Sequence, residues 1–274
     1  MANRSAETGH GANQITQIHR RQRWMGWLVA PIWVPLAAFW LSRRLAYRVH
    51  DLVKIRQTYR ELRQESNAPL LVCANHLTLI DSFLIALALS GSFRYLVDFD
   101  SLPWNVPEES NFANTSLNRI LAYLGKCVPI RRGGTREDVA YVLNRVIYLL
   151  QRGEVALVFP EGGRSRVGRI EATGAGWGVG RIVSAVEGCR VLCVYMRGEH
   201  QETYSDWPID GERFHVSLAC IEPKSESRGV RGTRDLSNQI ISKLSELEAE
   251  YFSRRKVNPS TPETTKPGAK GDLV

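Results

Sequence analysis

The chain has 274 residues, 43% of them apolar, and a formal charge of +8. That is enough for one well-filled core and does not call for a second large domain. Five cysteines, Cys73, Cys127, Cys189, Cys193 and Cys220, form an odd set without Cys-x-x-Cys spacing, which argues against a disulfide framework or a thiolate zinc site; they read as reduced core residues. The positive charge is concentrated, with eleven Lys and Arg against four acids in residues 1–66. No nucleic-acid motif accompanies it, so nucleic acid is set aside as a partner.

Residues 1–22 are polar and without periodicity, which predicts a disordered tail. Residues 24–41 then run uncharged for eighteen positions between Arg20, Arg21 and Arg23 on one side and Arg43 and Arg44 on the other. This length barely spans about 30 Å of hydrocarbon. Pro31 and Pro35 kink a single helix, and basic residues at both ends do not suit a simple crossing. The expectation is a re-entrant or interfacial segment with Trp24, Trp27, Trp33 and Trp40 at the headgroup boundary; a buried core helix is the alternative. Leu45, Val49, Leu52, Ile55, Tyr59 and Leu62 recur at helical spacing and predict an amphipathic helix over 45–64. Its other face carries Arg48, Lys54, Arg56, Arg60 and Arg63, suited to anionic lipid.

Pro69 opens the next region. Residues 70–74 have the composition of a buried strand and 82–89 that of a buried helix. Between them lies Asn75-His76-Leu77-Thr78-Leu79-Ile80-Asp81. Residues five apart on one helix point roughly 140° away from each other, so a contact between His76 and Asp81 requires His76 to sit in the turn and curl back. If they meet, the carboxylate fixes the imidazole tautomer and leaves the other nitrogen free to take a proton. With no serine or cysteine placed as a nucleophile, that base acts on a hydroxyl brought by the substrate. A capping pair at a helix start is the plainer alternative.

Residues 93–97 predict a second strand, 101–116 a loop, 117–124 a short helix and 126–130 an apolar strand ending in Arg131 and Arg132. Thr135-Arg136-Glu137-Asp138 resembles a capping box, and Val139, Val142, Leu143, Val146 and Leu150 mark a helix that stops at Gly153. A strand over 155–158 leads into Phe159-Pro160-Glu161-Gly162-Gly163-Arg164-Ser165-Arg166, whose glycines and arginines suit an oxyanion. Residues 164–180 read as a glycine-rich loop, 189–195 and 213–221 as strands, and Leu236, Ile240, Leu244 and Leu247 as a final helix to about 254. The tail from 256 is expected to be disordered.

Together, His-x-x-x-x-Asp, the Arg131-Arg132 strand end and the Phe-Pro-Glu-Gly motif resemble the glycerolipid acyltransferase family, whose best-known members are the lysophosphatidate acyltransferases. The chain departs from the family at Gly163, where a threonine is usual, at Cys193 for a proline, and at Glu171 and Ala172 for Phe-Lys. The resemblance implies His76 and Asp81 as the catalytic pair. It also implies an acceptor phosphate held by Arg132, with Arg131 as fallback, and by the loop Glu161, Gly162, Gly163 and Arg164. It implies acyl-CoA or acyl carrier protein as co-substrate, with no resident cofactor and no metal. The remaining histidines, His10, His19, His50, His200 and His215, read as tail, surface or strand residues.

The expected architecture is α/β, a mainly parallel central sheet flanked by helices, with ligands at the C-terminal strand ends and an N-terminal membrane-associated segment. The partition is a tail over 1–22, a membrane-associated segment over 23–66, a catalytic domain over 67–255 and a tail over 256–274. The expected activity is transfer of a fatty acyl group to a lysophospholipid hydroxyl, giving phosphatidate, at the cytoplasmic face of a membrane carrying anionic lipid. The alternatives are another lysolipid or a lyso-aminolipid acceptor, or a non-enzymatic membrane-binding module.

Overall fold

The computed structural model describes residues 2–112, 115–131, 133–171 and 176–257. Its first element is a single helix, α1 (Ala2–Phe39), which runs through Pro31 and Pro35 into a π-helical turn, Trp40–Arg44. The burial along it follows helical spacing: His19, Gln22, Gly26, Ala30, Val34, Ala38 and Leu41 are inside. That stripe is mostly small or polar, so the helix backbone approaches the domain closely; a Cβ on Gly26 would stand 3.0 Å from the Leu124 carbonyl oxygen. The large apolar side chains, Trp24, Trp27, Leu28, Ile32, Leu36 and Phe39, point outward and are exposed.

Three parts of the N-terminal expectation change here. Residues 13–22, read as tail, belong to α1, because His19 and Gln22 find polar partners that lie more than a hundred residues away. Residues 45–51 are not helical. Ala46 and Asp51 have positive φ, and Arg48–Val49 instead form strand β1. The helix α2 (Leu52–Glu65) starts only after Asp51.

Strand β2 (Leu70–Ala74) is buried on both faces, which is why its sequence is apolar without alternation. It leads through the His76 turn to α3 (Asp81–Leu89) and then α4 (Ser92–Val97). Residues 93–97 are therefore helical and not the expected strand. Helical spacing puts Phe93 and Val97 together on the exposed side, while Tyr95 is buried and donates its hydroxyl to the Ala86 carbonyl. The expected loop over 101–116 contains β3 (Trp104–Asn105) and α5 (Glu109–Phe112). There follow α6 (Ser116–Leu124), α7 (Arg136–Gln151), β4 (Ala156–Val158), α8 (Trp177–Ala185), β5 (Arg190–Gly198), β6 (Arg213–Ile221) and α9 (Gly229–Val257). The capping box at Thr135 and Asp138 forms as read. The tail from 258 lies outside the described residues.

The six strands form one sheet in the order β1-β6-β5-β2-β4-β3. All neighbours run parallel except β5 and β6, which are antiparallel, so the sheet is mixed. Alternation along β2 splits the core. Leu70, Val72 and Ala74 meet α2 and α3 on one face, and Leu71 and Cys73 meet α7, α8 and α9 on the other. The α8 and α9 backbones touch at Gly180, where any Cβ would collide with the Thr233 carbonyl oxygen.

A polar cluster fastens α1 to this body. The buried Glu154 carboxylate accepts from Trp104 Nε1 at 2.6 Å, lies 2.6 Å from His19 Nε2 and 3.6 Å from the fully buried Lys126 ammonium. Gln22 Nε2 donates to the Tyr123 and Cys127 carbonyls. Burial pushes the Glu154 carboxyl up, but His19, Lys126 and Trp104 outweigh it and bring it down to about 2. Because the folded value is depressed, the stabilisation is complete above pH 4.5 and is lost as pH falls towards 2. Glu154→Ala leaves the buried His19 and Trp104 donors unpaired and takes the counter-charge from Lys126, which keeps only the Phe99 carbonyl; it should cost about 3–5 kcal/mol in chemical denaturation at pH 7. A loss below about 1 kcal/mol would show that the cluster does not hold the helix.

Candidate active site

Strands β2, β3 and β4 are parallel and end on the same side of the sheet, so the segments that follow them converge there. The turn after β2 is shaped by the Asp81 carboxylate. Oδ2 accepts from Leu77 N at 2.6 Å and Thr78 N at 2.8 Å, and Oδ1 accepts from Thr78 Oγ1 at 2.5 Å. These bonds curl residues 76–78 back over the start of α3, which brings His76 Nδ1 to 3.0 Å from Oδ2. An ionised carboxylate only accepts, so Nδ1 carries the proton and Nε2 keeps its lone pair. Asp81 is buried and His76 is 16% exposed at the wall of a cavity.

Residues with no role at His76 in the sequence reading fix the ring and its turn. Phe159 stacks on it, centroids 3.9 Å apart and planes 13° apart. Asn75 pairs its side-chain amide with both backbone groups of Met196, at 2.9 and 2.8 Å, and so anchors the end of β2 to β5. Ser165 N donates to the His76 carbonyl. Segment 199–211, between β5 and β6, lies along the same turn, with Ser205 N donating to Leu77 O and Leu79 N to Asp206 O. Its Trp207 packs edge-on against Trp40 at the end of α1, centroids 5.6 Å apart. None of these contacts is local in sequence, which leaves no periodicity or spacing by which to find them.

The cavity holds about 380 Å³ and is two-sided in chemistry. His76, Asn105, Arg131 and Arg164 supply polar groups, whereas Val139 and Leu143 of α7, Val158 of β4 and Val179 and Ile182 of α8 make an apolar wall. Asn105 Nδ2 donates to Ser82 Oγ, and its buried Oδ1 has no partner.

Of the expected anion-binding residues, Gly162, Gly163, Arg131 and Arg164 line the cavity. The turn is built on Gly162, whose φ of +67° favours glycine. Arg131 is 71% exposed, with Nε 3.8 Å from Glu109. Arg164 donates to the Ser205 carbonyl at 3.1 Å and to Asp206 Oδ1 at 2.6 Å. Arg132 lies outside the described residues. Glu161 is placed differently from the expectation: it is not among the lining residues, and its carboxylate accepts from the backbone N–H of His76 at 3.4 Å and from that of Glu171. It braces two loops.

A buried carboxylate holding an imidazole at the wall of this cavity is an arrangement suited to taking a proton from a bound hydroxyl. Among the described residues no serine or cysteine is hydrogen-bonded to that imidazole, so group transfer to a substrate hydroxyl suits the site better than a covalent route. Residues 46–197, more than half of the chain, match the family described as acyltransferase, and the chain belongs to that family of lipid-metabolic acyltransferases. No curated protein matches the chain.

Two expected outcomes follow from the geometry. His76→Ala should lower acyl transfer by about 10²- to 10⁴-fold with an unchanged thermal midpoint; wild-type turnover in that variant would remove His76 from the chemistry. Burial raises the Glu161 carboxyl to about 7, against the two backbone donors that lower it. With the folded value above the unfolded one, its contribution to stability is full below pH 4.5 and is lost as pH rises through 7. Glu161→Gln should therefore gain stability relative to wild type between pH 5 and pH 8 in denaturant titrations, and a difference that is flat with pH would contradict the shifted carboxyl.

Proposed function

We propose that the enzyme moves a fatty acyl group from an acyl-CoA or acyl carrier protein thioester to the free hydroxyl of 1-acylglycerol-3-phosphate, giving phosphatidate in phospholipid biosynthesis. The observation that carries this is the free His76 Nε2 at the junction of a polar rim and an apolar wall. Nε2 takes the hydroxyl proton as the oxygen attacks the thioester carbonyl, and Asp81 stabilises the imidazolium. Collapse of the tetrahedral adduct breaks the carbon–sulfur bond, and the departing thiolate takes the proton back from Nε2. The ester, the free thiol and the neutral base result. The apolar wall takes an acyl chain, and Arg131, Arg132 and Arg164 take the acceptor's phosphate, so that positioning supplies much of the rate.

The outward apolar face of α1 is proposed to rest on the membrane that holds the acceptor. α6 adds Leu117, Ile120 and Leu121, and α4 adds Phe93 and Val97; both helices pack against α1. The basic N-terminal residues favour the cytoplasmic leaflet.

A second reading rests on one specific observation. Arg164 and Arg131 each already face a carboxylate, Asp206 and Glu109, which suits an acceptor with less negative charge than a phosphomonoester, such as a lyso-aminolipid. Labelled acyl-CoA and acyl carrier protein offered with a panel of acceptors in liposomes separates the two. Fastest turnover of lysophosphatidate is expected; faster turnover of an acceptor without a phosphomonoester selects the second reading, and no transfer to any lysolipid defeats both. Replacing Trp24, Trp27 and Leu28 together by Ser should weaken sedimentation with anionic vesicles by more than about tenfold, since each buried side chain contributes about 1.5–3 kcal/mol. Unchanged sedimentation would place the membrane contact on another face.

A further inference from the structure

Away from the cavity, three strand ends bring together side chains that the reaction does not use. His50 directly follows β1, and its N–H donates to the Phe214 carbonyl at 2.9 Å. Glu199 directly follows β5, and its N–H donates to the Arg213 carbonyl at 2.9 Å. His215 lies in β6 between those two neighbours, and the β1–β6 register, with Val49 opposite Phe214, continues to place His50 beside it. The sequence reading left His50 and His215 as isolated surface or strand residues, because their proximity exists only across the sheet.

The side chains converge. His50 Nε2 is 2.7 Å and His215 Nε2 3.6 Å from the same Glu199 oxygen, and the two rings stack with centroids 4.2 Å apart. One ligand atom from each residue falls within 4.8 Å of the others. We propose that His50, Glu199 and His215 form a binding site for a zinc-class divalent cation. Two imidazole nitrogens and one carboxylate oxygen are a donor set for zinc, whereas magnesium and calcium take oxygen donors. Binding at about 2.0–2.2 Å from each atom requires the stacked rings to splay. The cluster is open enough for that, with side-chain exposures of 25% for His50, 34% for Glu199 and 41% for His215.

Neutral imidazole is the binding form. When the ion binds His50 Nε2, the ring's proton moves to Nδ1, and water completes the coordination. Arg213 and Arg255 lie close enough to act on Glu199 and His215, so the carboxylate is needed to offset their charge. None of the three ligands lines the His76 cavity. The ion would tie the segment after α1 to β5, β6 and the start of segment 199–211, which makes the site structural.

The test uses full-length protein stripped with chelator and titrated with zinc, magnesium and cobalt(II). Zinc is expected to bind at one equivalent and raise the thermal midpoint, with no response to magnesium. Cobalt should give visible bands of a tetrahedral site without a thiolate charge-transfer band. His50→Ala and His215→Ala should each lose the bound equivalent and the thermal shift. Glu199→Gln, which keeps a hydrogen-bond acceptor for His50, should weaken zinc by more than about tenfold, a loss typical even of an outer-shell partner. Absence of stoichiometric zinc, an equal response to magnesium, a thiolate band, or a zinc equivalent that survives in His215→Ala would each overturn the assignment.

Discussion

The turn at the end of β2, on the wall of the cavity, depends on one buried carboxylate. Asp81 is the first residue of α3, where the helix dipole favours negative charge. Its two oxygens take two backbone amides, one hydroxyl and one imidazole. The same group therefore starts a helix, bends the turn before it and sets the tautomer of the base. The five-residue spacing, awkward on a continuous helix, works because the intervening residues wrap around the acid.

This arrangement was legible in the sequence because it is local: an apolar strand, a His, an Asp and an apolar helix within twenty residues. The same holds for the glycine turn at Gly162 and for the Thr135 capping box. What resisted reading is non-local. Phe159 on the His76 ring, Asn75 against Met196, Arg164 with Asp206 and His19 with Glu154 join residues that no periodic pattern relates. Glu161 sits in a loop suited to anions, yet it turns inward to bind amides. Short elements were misread for a different reason. Residues 93–97 satisfy both a strand and one and a half turns of helix, and only the packing of Tyr95 under α1 and against Ala86 decides it. Residues 45–51 carry a helical apolar spacing that two positive φ values break.

The sheet explains why so many contacts meet at one end. β5 runs parallel to β2, so segment 199–211 emerges on the same side as the His76 turn and lies along it. β6 and its parallel neighbour β1 run opposite to the other four strands, and the start of β6 lies beside Arg48, just after the π-helical end of α1. Arg131 and Arg164 line the same cavity as His76, and segment 199–211 joins the His76 turn to the aromatic pair of Trp40 and Trp207.

The polar cluster beneath α1 has a practical corollary for anyone seeking a crystallisable fragment. Trimming the first forty residues to shed the apolar exterior would also take His19 from Glu154 and Gln22 from two carbonyls. The apolar outer face and the polar keystone belong to the same stretch of chain, so solubility is better sought by recolouring its outer surface than by cutting it away.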